Sequence, residues 1–245
     1  MYSIYIPSIK RSDSEFLQEL KRLNLSYYLV LAHDQVERYL EYHDMNNIIV
    51  LPKSVYGISK IRQFILEYAL KKKEKRIWMS DDDLRRFFMW SSESNKEVSF
   101  KYFLQEAENE ITKLEKADKS LVQVGFKYST FAIPKSKYSF NTDIGMIQYL
   151  NLERLQNKVS YDIKMTTLED TDFSIRLIKN GYKNVKLNHF IFTAPRSGTG
   201  KGGLEEAYQN KGKQQGIIEF QRKFPDLIKI IDLDKGKYRV HWGKL

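Results

Sequence analysis

The chain has 245 residues and no Cys, which excludes a disulfide scaffold, a thiolate zinc site and a cysteine nucleophile. Its 42% apolar and 13% aromatic content, against 29% charged residues, can build the core of one ordinary domain, so a disordered, collagen-like or low-complexity chain is excluded as well. The formal net charge is +10. Residues 1–118 hold 19 Lys+Arg and 19 Asp+Glu, and residues 119–245 hold 22 and 12, so the whole excess lies in the second part. That excess serves either solubility or a polyanionic partner such as nucleic acid.

Taken in chain order, short β-rich runs alternate with helical patterns. Ser3–Pro7 reads as a strand. Asp13–Leu23 follows as a helix, with Phe16, Leu17, Leu20 and Leu23 at helical spacing. Tyr27–Ala32 is a strand, and Asp34 is placed to cap a short helix running to Tyr42. Ile48–Leu51 is a buried strand closed by Pro52. Gly57–Leu70 is a helix with Ile58, Ile61, Ile65 and Leu66 on one side, and Ile77–Ser80 is a fourth strand. This alternation predicts βαβ units and a mainly parallel sheet.

Beyond residue 80 the rhythm changes. Phe100–Ala117 is a charged helix. Leu121–Phe140 reads as two or three strands broken at Gly125 and Pro134. Leu168–Asn180 is a helix closed by Gly181, Val185–Leu187 a strand, Pro195–Gly203 a loop, and Gln214–Phe224 a helix stopped by Pro225. There is no internal repeat and no Ser/Gly linker. The expected fold class is α/β: a single domain over 1–245 with a mainly parallel central sheet and an elaborated C-terminal half. No apolar run approaches the roughly 18 residues of a membrane span. The segment Met1–Ser8 lacks the features of a signal peptide, so a cytoplasmic protein without membrane attachment is expected.

Asp81, Asp82 and Asp83 follow directly on the apolar strand Ile77–Ser80. Ligands of parallel sheets gather beyond the carboxyl ends of strands. Three adjacent like charges need compensation, which a hard divalent cation with diphosphate oxygens supplies. The competing reading is an acidic turn with an aspartate capping a helix. A second acidic set, Glu169-Asp170-Thr171-Asp172, opens the helix ending at Gly181-Tyr182, where the dipole stabilises anions. Asp172 is spaced to pair with Arg176, and a carboxylate in this set can equally serve as a general base. Arg196–Gly203 resembles a P-loop only superficially: Pro195 stands where the first Gly belongs and Gly202 where the Ser/Thr belongs. It reads as a lid whose amides and Lys201 reach a diphosphate, or as an exposed loop. Lys127–Phe131 and Lys135–Phe140 interleave cations with aromatics, which suits either a nucleic-acid face or a half-buried strand.

The two acidic motifs together resemble the GT-A fold (Rossmann-like) nucleotide-sugar glycosyltransferases. Asp81-Asp82-Asp83 is similar to their DxD motif after the fourth strand. Glu169-Asp170-x-Asp172 with Arg176 and Gly181-Tyr182 is similar to their second acidic segment. Pro7-Ser8-x-Lys10-Arg11, Gly57-Ile58-Ser59 and Trp78–Asp83 look closest to the TET/JBP-associated glycosyltransferases, found in phages and kinetoplastids. The resemblance implies a UDP-sugar donor, Mn²⁺ or Mg²⁺, and hydroxymethylated pyrimidines of DNA (5-hydroxymethylcytosine among them) as acceptor. It implies that Pro7, Ser8 and Arg11 hold the uridine diphosphate, with Asp81 near the ribose or metal and Asp83 on the metal. It also implies Asp170 as the base, with Asp172 as the other candidate. A C-terminal His ligand of such enzymes would fall near Thr193, where this chain has none; His241 is the substitute, ahead of His189. Residues 1–118 would mainly hold the donor and 119–245 the acceptor. The rivals are a transferase acting on glycan or protein, a metal-dependent nuclease using Asp81, Asp83 and Asp170, and a DNA-binding module without turnover.

Overall fold

The computed structural model describes residues 1–91, 94–129, 136–156, 158–195 and 212–245. The first strand, β1 (Ile4–Pro7), leads into α1 (Glu15–Arg22), whose N-terminal cap is the Ser14 hydroxyl accepting from Leu17 N–H. Next come β2 (Tyr27–Leu31), α2 (Val36–Leu40) and β3 (Ile48–Val50). Asp34 does not cap the second helix: it lies within a 3-10 turn, His33–Gln35, that precedes α2. Then α3 (Ile58–Lys71) starts at Gly57, whose φ of +91° is a glycine conformation, and leads into β4 (Arg76–Ser80).

The sequence patterns miss the next two elements, the antiparallel strands β5 (Phe87–Trp90) and β6 (Asn95–Val98). Helix α4 (Phe100–Ala117) falls where the charged periodicity places it and is capped by Ser99. Strand β7 (Leu121–Tyr128) passes straight through Gly125 rather than breaking there. A Cβ at that glycine would collide with the side chain of Ile144, so the residue serves close packing, not a turn. After β8 (Tyr138–Phe140) come β9 (Ile147–Asn151) and the single turn α5 (Leu152–Leu155). Helix α6 (Glu169–Lys179) and strand β10 (Lys183–Phe192) follow, then α7 (Gly212–Lys223), β11 (Ile228–Asp232) and β12 (Lys237–Val240).

Ten strands form one sheet in the order β3-β2-β1-β4-β9-β7-β10-β5-β6, with β8 also paired to β10. The pairs β1–β2, β2–β3, β1–β4 and β7–β10 are parallel. Because β9 is antiparallel to both β4 and β7, those two run the same way as the first four. Seven of the ten strands therefore share one direction, with β5, β8 and β9 opposed. The sheet draws on both the neutral and the basic parts of the chain.

Alternation along each strand sends residues to opposite faces. Ile4, Ile6 and Trp78 pack with Phe16, Leu20, Phe103 and Leu104 of α1 and α4 on one face. Tyr5, Ile77 and Met79 pack with Ile65, Leu66, Phe173 and Leu177 of α3 and α6 on the other. The result is a three-layer α/β/α arrangement. A smaller core holds Phe220 and Phe224 of α7 with Leu227, Ile228, Met165 and Ile175.

Candidate active site

The path along the sheet runs outward from β1 in two directions, through β2 to β3 on one side and through β4 on the other. The boundary between β1 and β4 is a topological switch point, where the connections diverge and leave a crevice at the strands' carboxyl ends. The segment after β1 carries Ser8 and Arg11; the segment after β4 carries the three aspartates. Pro7 closes β1 beyond the last residue paired with β4, where its missing N–H breaks no bond to that strand.

Asp82, the middle carboxylate, is 4% exposed and binds the two segments together. It accepts from the Ser8 hydroxyl and from Arg11 Nη1 at 2.5 Å, and its main-chain carbonyl accepts from Ser14 Oγ at 2.6 Å. Tyr39 Oη accepts from Arg11 N–H at 3.0 Å and lies 2.6 Å from Ser8 Oγ. Since Ser8 donates to Asp82, it accepts from Tyr39, so the hydroxyls form a directed chain ending on the carboxylate. Asp83 lies 3.0 Å from the same Arg11 Nη1.

Asp81 is held from the other side. Arg62 belongs to the buried face of α3, together with Ser59, Ile65, Leu66 and Ala69. Its Nη2 donates to Asp81 Oδ1 at 2.9 Å, and its Nε stands 3.2 Å from Glu169 Oε1, an ion pair without hydrogen-bond alignment. One buried guanidinium thus joins the two acidic motifs. A second link runs through the turn before β9. Met146, at φ +59°, presents its carbonyl to Asp81 N–H at 2.6 Å, and neighbouring Gly145 leaves the space in which Asp170 Oδ2 sits. Leu168, at φ +63°, turns the chain into α6. Two non-glycine residues in the left-handed region beside one crevice are a local strain that the surrounding packing holds in place.

Burial and mutual repulsion govern the charges here. Burial, opposed by Arg62 and reinforced by Asp83 and Asp82, pushes Asp81 up to about 7. Burial likewise carries Glu169 up to about 7 against the pull of Arg62, and Asp170 and Asp82 are also raised by burial. Asp81, Asp82, Asp83, Glu169 and Asp170 face two guanidiniums, Arg11 and Arg62, so this wall carries excess negative charge when ionised. Among the described residues no bond engages Asp81 Oδ2 or Asp83 Oδ1. Nor does any group of three or more His, Asp or Glu side chains there form a ready-made metal cage. Two open carboxylate oxygens with excess negative charge fit a hard divalent ion that takes its remaining ligands from a bound diphosphate. Beside them a cleft of about 410 Å³ is lined by Arg11, Ser14, Asp83, Arg85 and Pro195 among others.

Residues 2–203 match the TET-associated glycosyltransferases. The chain belongs to this family. It is therefore a glycosyltransferase, which removes the nuclease and the non-catalytic DNA-binding module. Solved structures show the same GT-A fold. TarS 1–349 of S. aureus is 15% identical with a TM-score of 0.50, over 96% of this chain and 68% of that one. GalNAc-T7, solved with UDP, GalNAc and Mn²⁺, is 10% identical with a TM-score of 0.54, over 79% of this chain and 43% of that one. No curated protein sequence matches the chain.

In this TET-associated glycosyltransferase the structure brings Ser8, Arg11, Asp81, Asp83 and Asp170 around one crevice. It sets Asp172 apart: fully buried, Asp172 is bonded to Lys223 of α7, which also bonds Asp162 at 2.6 Å, and it lies 3.9 Å from Arg176. His241 is not joined to Asp81 and Asp83. It follows β12, and its main-chain N–H donates to Leu227 at 2.8 Å. His189 is 2.9 Å from Glu110 of α4. Lys201 and Lys135 lie outside the described residues, while Lys137 is engaged with Glu110 at 3.2 Å. Sequence reasoning missed Asp82 as a structural tie, Tyr39 and Arg62. Arg62 left a readable signal, since it occupies the stripe of Ser59, Ile65 and Leu66, where a cation requires buried counter-charge.

Proposed function

We propose that the enzyme transfers a sugar from a UDP-sugar to a hydroxymethylated pyrimidine in DNA, with Mn²⁺ or Mg²⁺ on Asp81 and Asp83. The observation that carries this reading is the convergence of Asp81, Asp83 and Asp170 at the β1–β4 switch point, joined through Arg62–Glu169 and the Gly145–Met146 turn. GalNAc-T7, of the same fold, was solved with UDP and Mn²⁺, which supports the donor and ion. The family's name and the +10 charge support DNA as the acceptor.

Asp81 and Asp83 would hold the divalent ion, which when bound would supply positive charge to the departing diphosphate. Arg11, held by Asp82 and Asp83, orients the donor's phosphates at the end of β1. Asp170 Oδ2, seated over Gly145, takes the proton of the acceptor hydroxyl as the oxygen attacks the anomeric carbon. Asp172 is committed to Lys223 and has no part in this step. A 5-hydroxymethyl group projects into the major groove, so the base can be reached with or without extrusion.

The test is incubation with a panel of UDP-sugars and DNA containing 5-hydroxymethylcytosine or 5-hydroxymethyluracil, followed by nucleoside mass analysis. A hexose or pentose increment that requires both the divalent ion and Asp170 supports the reading. Transfer only to glycan or protein acceptors overturns the DNA assignment.

A further inference from the structure

The strongest unassigned surface is the rim where α3 and the segment before α6 meet. Ser59 Oγ donates to the Met165 carbonyl, and Tyr161 N–H donates to Gln63 Oε1 at 2.9 Å. These bonds place the turn 52–57 beside the segment 161–167. The first ends in Tyr56, 76% exposed, held by a tight turn closed from Val55 N to Pro52 O at 2.9 Å. The second presents Ile163, 53% exposed. Lys53, Lys60 and Lys164 are exposed around them, and none is in an ion pair among the described residues. The nearby acid, Asp162, turns to Lys223, which it shares with Asp172 beside Arg176. The rim is thus an apolar pair set in unpaired positive charge. It lies about one helical turn, or about 6 Å along α3, above Arg62, which touches both acidic motifs.

We propose that this rim is the surface on which the DNA acceptor docks. Phosphates lie on Lys53, Lys60 and Lys164, the ring of Tyr56 stacks on a base turned out of the duplex, and Ile163 makes the apolar contact beside it. The charge chooses the partner. Three lysines without carboxylates suit a polyanion, and a flat exposed ring beside them suits a nucleobase, which offers a π-face whatever its sequence. The cation-aromatic interleaving at Lys127–Phe140 is less suited, because Lys137 is taken by Glu110 and lies over the ring of Tyr138. This inference rests on the DNA-acceptor reading above and adds where the DNA sits.

The experiment measures binding of a short fluorescein-labelled, hydroxymethylated duplex by anisotropy as salt is raised. The variants are Lys53→Gln/Lys60→Gln/Lys164→Gln, Tyr56→Ala, and an equal-charge control at the other end of α3, Lys71→Gln/Lys72→Gln/Lys73→Gln. The rim triple should flatten the log–log salt slope by about two to three units, at roughly 0.9 per lost phosphate contact. Tyr56→Ala should weaken binding about ten-fold with the slope kept. The control should keep the wild-type slope, and UDP affinity should be the same in all. If the rim triple behaves as the control does while wild type binds with a steep slope, the rim assignment falls and the DNA reading stands. If wild type shows no salt-dependent DNA binding, both fall together.

Discussion

Arg62 stands 2.9 Å from Asp81, within a helix face that is otherwise apolar or small. With Glu169 at 3.2 Å on its other edge, the guanidinium is a buried cation shared by two carboxylates, one directly after β4 and one opening α6. Its removal leaves both without their principal compensation. Arg62→Met should therefore lower stability by about 3–5 kcal/mol, as when one partner of a buried pair is removed. Urea unfolding of the metal-free protein measures this. A loss below about 1 kcal/mol would show that the carboxylates find other compensation.

The legibility of the fold follows from how each element is buried. The first 80 residues were readable because their strands are short apolar runs and their helices carry one apolar stripe. Strand β9 was hidden by its polar residues: Gln148 is buried, but it bonds Gln123 and Tyr161 at 2.8 Å each, and buried Asn151 bonds Glu115. Strand β6 was hidden because Asn95, Lys96 and Glu97 at the sheet's edge are exposed. The Asp triplet was legible from its position after an apolar strand. The work of Asp82 was not, because sequence does not tell which of three neighbouring carboxylates turns inward. Asp172 shows the converse: its spacing to Arg176 was visible, while its main partner, Lys223, comes from a helix 51 residues away.

Asp83, like Asp81, keeps an open oxygen, and among the described residues its partner is Arg11 at 3.0 Å. Asp83→Ala should abolish divalent-ion-dependent UDP binding and leave thermal stability near wild type. Calorimetry of UDP with and without Mn²⁺ reads the effect. Unchanged metal dependence would move the ion elsewhere.

Glu110 supplies a pH dependence away from the site. Burial would raise it, but His189 at 2.9 Å, with Tyr138 and the ion pair to Lys137, prevails and brings it down to about 2. A carboxyl depressed on folding binds protons more readily in the unfolded chain, so its stabilisation is present above the unfolded value near 4.3 and is lost as pH falls toward 2. Glu110→Gln should therefore be less stable than wild type at neutral pH, and the difference should shrink between about pH 5 and pH 2. A difference that stays constant over that range would show that Glu110 acts through packing alone.

The last prediction separates the two carboxylates at the start of α6. Asp170 packs Oδ2 against Gly145 and accepts from Thr171 N–H at 2.7 Å with Oδ1, so among the described residues Oδ1 is anchored and Oδ2 has no hydrogen bond. Asp172 is wholly buried and tied to Lys223. Asp170→Asn should keep UDP binding and stability and lose about 10²–10⁴-fold in transfer rate, the usual effect of removing a positioned base. Asp172→Ala should do the reverse in kind: it leaves Lys223 with Asp162 alone and loosens α7, with stability falling by about 1–3 kcal/mol, while the rate of the protein that remains folded falls far less. Gly145→Ala adds a methyl group where the Asp170 carboxylate sits, so it should lower kcat more than it changes UDP affinity. Single-turnover rates, UDP calorimetry and unfolding curves on the three variants form one set. Near-normal turnover in Asp170→Asn, with a large rate loss in folded Asp172→Ala, would transfer the base to Asp172.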